Sequence, residues 1–196
     1  MRADRGTETV DVYRFHHALH AVSPTGEPDD CWRYGRSVHN QKIEAFWSQM
    51  KREWEISWQD TFRGLESEEL WEYGNPLDQS LLYFVYMPIL RQELEQFRRE
   101  YNIFPMRYNP VSRLPWGPPE DNFILCEIDR DFGVTVDAAY IDHIRETYLD
   151  GFDAEAYISE EEMEEYEDLL LRSPWGQEID SSNARSQYCY LREALA

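Results

Sequence analysis

Apolar residues recur at intervals of three and four along most of the chain, and that spacing predicts helices. Over residues 9–21, Val10, Tyr13, His17 and His20 share one face, and Thr7 or Thr9 offers a capping hydroxyl. Residues 23–36 hold Pro24, Gly26, Pro28, Asp29, Asp30 and Gly35, which predicts a loop. Ser37 can cap a second helix running to about residue 58, with Ile43, Phe46, Trp47, Met50, Trp54 and Trp58 on its apolar stripe. A short helix is predicted over 67–73, ended by Gly74-Asn75. Pro76 then suits the first position of a helix reaching about residue 102. Its inward positions are Leu81, Phe84, Val85, Ile89, Leu90, Leu94 and Phe97, with Pro88 as a point of kinking. Pro110, Pro115, Gly117, Pro118 and Pro119 follow as a breaker-rich boundary. Beyond it, 123–128 reads as a short strand and 136–149 and 160–171 read as helices. The pattern as a whole is mostly α, with no internal repeat.

Composition bounds the size and class. The 196 residues suit one domain, or one domain with an appendage. Apolar residues make up 42% and aromatic residues 15%, enough to bury a core. The longest apolar run, residues 81–90, contains Pro88 and is half the roughly 20 residues a membrane-spanning helix needs. The opening Met-Arg-Ala-Asp-Arg has no apolar segment, so no targeting signal is visible and an intracellular place, nucleus or cytoplasm, is expected. Cys31, Cys126 and Cys189 are odd in number and match no zinc-finger spacing.

Charge changes the picture more. The formal net charge of −20 argues against binding nucleic acid by bulk electrostatics. It is unevenly spread. Residues 1–113 carry 14 basic and 18 acidic side chains, whereas residues 114–196 carry 5 and 21. The acidity peaks in Ser159-Glu160-Glu161-Glu162-Met163-Glu164-Glu165-Tyr166-Glu167-Asp168. Such a run is most simply a solvated helix face. A protein-interaction tail or a mimic of nucleic-acid charge is the functional alternative.

Several side chains suggest chemistry. Asp4 opens an Asp-x-Gly turn, which in the ordinary case is only a turn or cap residue. Asn40, Glu44, Ser48 and Lys51 fall on one stripe of the second predicted helix. A carboxylate at a strand end and another on a helix suit divalent metal and phosphoryl transfer; a solvated polar face is the plainer reading. His16 and His20 are one turn apart, beside His17, a spacing that lets two imidazoles share a metal, yet no third ligand is evident from spacing. Arg91, Arg98, Arg99, Arg107 and Arg113 lie among aromatics and suit phosphate contacts, or ion pairs with Glu93, Glu95 and Glu100.

Two of these segments carry a family pattern. Arg2-Ala3-Asp4-Arg5-Gly6-Thr7-Glu8 resembles the second-aspartate motif of retroviral-type integrase cores. Tyr34-Gly35-Arg36-Ser37-Val38-His39-Asn40-Gln41-Lys42-Ile43-Glu44-Ala45-Phe46-Trp47 resembles the glutamate motif of transposon-derived integrase core domains found in fungal and animal genomes. That motif typically reads Gly-Arg-Ser-x-His-Asn-Gln-Arg-Ile-Glu before an aromatic pair; Lys42 replaces its Arg. The helix ending Phe97-Arg98-Arg99-Glu100-Tyr101-Asn102 and the Pro/Gly-rich exit also resemble the family.

The resemblance implies an α/β ribonuclease-H-like fold. It would be present as a mostly helical fragment, with a vestigial strand near Arg2 and an acidic C-terminal helical extension. It divides the chain into a partial core, 1–114, and the extension, 115–196. Two aspartates and a glutamate of the family hold two Mg²⁺ or Mn²⁺ ions, which activate a water or a DNA 3′-hydroxyl and stabilise the leaving oxygen. Asp4 matches the second aspartate and Glu44 the glutamate, with 39 residues between them. Asn40 and Lys51 match polar positions near the catalytic face that meet DNA. No residue here matches the first aspartate, and the sequence begins three residues before Asp4. The expectation is therefore a truncated core whose ancestral polynucleotidyl transfer activity is lost, with DNA as its ancestral partner. Two alternatives stand beside it: an active enzyme whose first strands lie outside this sequence, and a non-catalytic interaction module that takes a protein partner on its acidic tail.

Overall fold

Helix dominates because most of the chain has the 3.6-residue apolar period, and few segments alternate as a half-buried strand would. The computed structural model describes residues 2–3, 9–24, 27, 31–35, 41–108, 110, 116–126, 133–148 and 156–195. Among them the order is β1 (Arg2–Ala3), α1 (Thr9–Val22), β2 (Arg33–Tyr34), α2 (Gln41–Met50), one π-helical turn (Lys51–Glu55), α3 (Ile56–Ser67), α4 (Pro76–Ile103), α5 (Pro119–Ile124), α6 (Ala138–Tyr148), α7 (Glu160–Leu170) and α8 (Ala184–Leu195). The chain forms two compact units, residues 1–53 with 126–153, and residues 54–125 with 154–196. Among the described residues, no helix is long and apolar enough to cross a membrane.

The first unit is built on a parallel strand pair. Arg2 pairs with Arg33 and Ala3 with Tyr34. Parallel neighbours need a crossover, and α1 supplies it. Residues 23–36, expected as loop throughout, therefore contain a strand. An aromatic cluster joins crossover to sheet: the Tyr13 ring lies 5.6 Å from that of Trp32 and 6.2 Å from that of Tyr34. Cys31 and Trp32 are buried at the entry to β2. Phe15 meets Tyr148 of α6 edge-on at 5.3 Å. On α2, Ile43 and Trp47 of the expected apolar stripe are instead exposed.

The second unit holds the larger core. Asn75 caps α4 through Oδ1, which accepts from the backbone N–H of Leu77 at 3.0 Å and of Asp78 at 3.4 Å, and Pro76 takes the first helical turn. Leu81, Val85, Tyr86 and Ile89 of α4 pack with Leu65 of α3, Tyr166 and Leu170 of α7, and Tyr188 and Leu191 of α8. The buried Asp78 carboxylate accepts from Arg192 Nε at 2.6 Å and Nη2 at 3.2 Å, and from the Glu72 N–H at 2.8 Å. The indoles of Trp54 and Trp58 both donate to Glu93 Oε2, at 3.0 and 2.7 Å.

Between residues 56 and 128 the structure departs from three further sequence expectations. No separate helix forms over 67–73: Ser67 ends α3, and the chain leaves it through turns, with Glu69 at φ 59° and Gly74 at φ 84°. The backbone N–H groups of Glu69 and Leu70 there return to the Glu66 and Leu65 carbonyls rather than start a new helix. No strand begins at Phe123. Pro119 at the first turn, with Glu120 and Asp121 beside the helix N-terminus, opens α5 instead. The second predicted helix extends past residue 58 to Ser67, its register shifted by the π-helical turn. Ser37, its proposed cap, lies outside the described residues.

Candidate active site and a histidine–cysteine cluster

Glu44 lies in the first turn of α2, exposed to solvent. Ser48, one turn on, donates from Oγ to the Glu44 carbonyl at 2.8 Å. Lys51 is exposed and opens the π-helical turn, where Glu53 accepts from Gln49 at 3.2 Å and pairs with Arg52 at 3.4 Å. Glu44, Ser48 and Lys51 are thus solvent-facing, as their spacing predicts. Asp4, the residue after β1, and Asn40, just before α2, lie outside the described residues.

A two-ion site needs carboxylates gathered on one spot. Among the described residues, no cluster of three or more metal-ligating side chains includes Glu44. The described residues thus do not by themselves gather the donors that two divalent ions need.

Two of the basic series, Arg98 and Arg99, pair along the helix face with Glu95. Arg98 donates to both oxygens of Glu95 at 2.7 Å, and Arg99 Nε reaches it at 2.9 Å. Those hydrogen bonds hold the Glu95 carboxyl down at about 2. The Arg91 guanidinium sits 4.8 Å from the centre of the Tyr157 ring. Arg113 is outside the described residues.

The acidic run forms α7, started by a capping box in which Ser159 and Glu162 satisfy each other's backbone N–H groups. Glu160, Glu161, Glu164 and Glu165 are exposed. Glu162 also accepts from Ser80 Oγ at 2.9 Å, and Tyr166 donates to the same Ser80 oxygen at 3.1 Å. One face of the run is solvated and the other belongs to the core of its unit.

One constellation was not legible in the sequence. His16, His20 and Cys31 each place a ligating atom within 4.8 Å of the other two. The two imidazoles share a face of α1, their ring centres 4.6 Å apart. The crossover returns Cys31 onto that face. The His16 Nε2 atom is 3.2 Å from the Cys31 carbonyl oxygen. Burial pulls the His16 imidazole below its ordinary 6.5. The signal in the sequence was the histidine pair; its partner lies eleven residues beyond His20, at no motif spacing.

A family model described as "Integrase core domain" matches residues 1–114. No curated protein matches the chain. No solved structure matches it either. The matched segment spans β1, the α1 crossover, β2, Glu44 on α2 and the whole of α4, more than half of the sequence. The family implies a ribonuclease-H-like fold, whereas the described residues are mostly helical, with one pair of two-residue strands. The chain belongs to the integrase core domain family.

Proposed function

We propose that this chain derives from a transposable element, that its ancestral activity was metal-dependent DNA integration, and that these 196 residues do not themselves carry out strand transfer. The observation that carries the reading is Glu44. Its surroundings resemble the family's glutamate motif, it falls inside the matched segment, and it lies exposed in the first turn of α2. Asp4 is the proposed second ligand for Mg²⁺ or Mn²⁺. No carboxylate of this sequence matches the family's first aspartate, the residue that would bridge two ions. Asn40 and Lys51 are the proposed contacts to DNA phosphates. The division into a core, 1–114, and an acidic extension, 115–196, belongs to this proposal, as does an intracellular place of action.

The test is a Mn²⁺-dependent nicking and strand-transfer assay on the full chain beside Glu44→Gln, with calorimetric Mn²⁺ titration of both. The expected result is no turnover above the Glu44→Gln background and no ion binding that depends on Glu44. Turnover by the unsubstituted chain that Glu44→Gln abolishes would overturn the reading in favour of an active enzyme.

A second reading rests on α7. Its exposed Glu160, Glu161, Glu164 and Glu165 offer a basic protein partner a continuous acidic face, held rigid by the buried Tyr166 and Leu170. This reading is compatible with loss of catalysis.

A further inference from the structure

We propose that His16, His20 and Cys31 form a zinc site that ties the α1 crossover to the entry of β2. The donors are the kind zinc selects. Two imidazole nitrogens and one thiolate suit a borderline-soft ion, whereas Mg²⁺ and Mn²⁺ prefer oxygen. A fourth, water-held position completes a tetrahedron. With Zn–N about 2.0–2.1 Å and Zn–S about 2.3 Å, ligand atoms of such a site lie roughly 3.3–3.6 Å apart. The present separations, within 4.8 Å, close by about 1 Å through side-chain rotation.

Two further observations point to a ligand. The Cys31 carbonyl can only accept, so the His16 Nε2 atom facing it carries the proton and donates. The lone pair of His16 is then on Nδ1. Metal-bound histidines are ordinarily oriented in this way, with the far nitrogen held by a backbone carbonyl. Secondly, His20 Nδ1 is buried and has no hydrogen-bond partner. A buried polar atom left unsatisfied is costly, and coordination of an ion is one way of satisfying it. Cys31 itself is only 6% exposed, so its sulfur sits where a bound ion is shielded from water. The three residues come from two stretches far apart for a finger motif, which is why spacing rules pass over them. The site is independent of Asp4 and Glu44 in residues and in donor chemistry.

The experiment uses the full chain, stripped with chelator and kept reduced, titrated with Zn²⁺ and with Co²⁺ as its spectroscopic stand-in. One ion per chain is expected. The Co²⁺ form should show a near-ultraviolet sulfur-to-metal charge-transfer band and the intense visible bands of tetrahedral cobalt. A Cys126→Ser, Cys189→Ser double variant leaves Cys31 as the sole thiol and should keep the whole spectrum. Cys31→Ser should lose the charge-transfer band, and His20→Gln should bind at least tenfold more weakly, both with unchanged far-ultraviolet circular dichroism. Glu44→Gln should leave the spectrum as it is, which separates this site from the ancestral catalytic one. Absence of the band when Cys31 is the sole thiol, or its survival in Cys31→Ser, overturns the proposal.

Discussion

Glu162 shows how one side chain can serve two roles that the charge run alone conceals. Its Oε2 accepts from the Ser159 N–H at 3.0 Å and from Ser159 Oγ at 2.7 Å, while Oε1 accepts from Ser80 at 2.9 Å. Hydrogen bonds to the ionised form, from the Ser159 backbone first, then its hydroxyl and Ser80, pull the carboxyl below its ordinary 4.5. A depressed carboxyl contributes stability that is present above the unfolded value, about 4.5, and is lost as pH falls through the lower folded value. Glu162→Gln should therefore be less stable than the unsubstituted chain at pH 7. The gap should close as pH falls from the ordinary 4.5 through the lower value of the folded state, where the native carboxyl protonates as well. Urea melts of both proteins at pH 7, 5 and 3.5 check this. A gap that stays constant with pH would mean that packing, not ionisation, carries the contribution. The exposed neighbours Glu160, Glu161, Glu164 and Glu165 lack these contacts, so the ten-residue acidic run holds one structural carboxylate among solvated ones.

At the scale of elements, α8 is the piece that completes the larger core. Tyr188 and Leu191 are fully buried, and the Tyr188 hydroxyl donates to the Leu70 carbonyl at 3.1 Å. Gln187 is also buried, with Ser173 donating to its Oε1 at 2.6 Å and its Nε2 donating to the Gly176 carbonyl at 2.7 Å. Leu191→Ala should cost about 2–5 kcal/mol, the range for a leucine removed from a packed core, and urea denaturation checks it. A loss under 1 kcal/mol would mean that α8 is not a core element. This helix was illegible in the sequence for a physical reason. Its inward face is written with Ala184, Gln187, Tyr188 and Leu191, and strong aliphatic residues enter only at Leu191 and Leu195, in its second half. The legible helices include α1, α2 and α6 as well as α4 and α7, and the last two joined a clear period to a capping residue or to proline at the start. Phe123, Ile124 and Leu125 misled in the opposite direction. They are apolar, contiguous and exposed, at 83%, 65% and 75%, so local hydrophobicity there marks a helix end instead of a buried strand. At the candidate site, the polar stripe of Glu44, Ser48 and Lys51 followed from spacing alone. The His16–His20–Cys31 cluster required the crossover that folds residue 31 back onto α1.

For the whole molecule, the decisive quantity is the placement of charge relative to packing. The excess of acid lies beyond residue 113, yet α7 and α8 of that stretch share a compact unit with α3 and α4. The acidity thus cannot be removed by cutting the chain without exposing Leu81, Val85, Tyr86 and Ile89. It can be removed in place. Glu164, Glu165, Glu167 and Asp168 of α7 are all exposed, and Glu167 and Asp168 lie in its last turn, where negative charge opposes the helix dipole. Replacing them with glutamine and asparagine takes away four of the 20 net negative charges. Surface changes of this kind ordinarily alter stability by no more than about 0.5 kcal/mol each, and relief at the helix C-terminus sets the sign as slightly stabilising. If long-range repulsion from this face is what suppresses DNA affinity, the quadruple variant should bind duplex DNA more tightly than the unsubstituted chain. That gain should shrink as salt rises, because screening shortens the reach of the removed charges. Fluorescence anisotropy at low and at near-physiological ionic strength, with a thermal melt as the control for folding, measures both. A gain that is equal at the two salt concentrations would locate the effect in local contacts. No gain at either would show that residues 1–113 lack a DNA-binding surface of their own, and would leave the acidic face to the protein-partner reading.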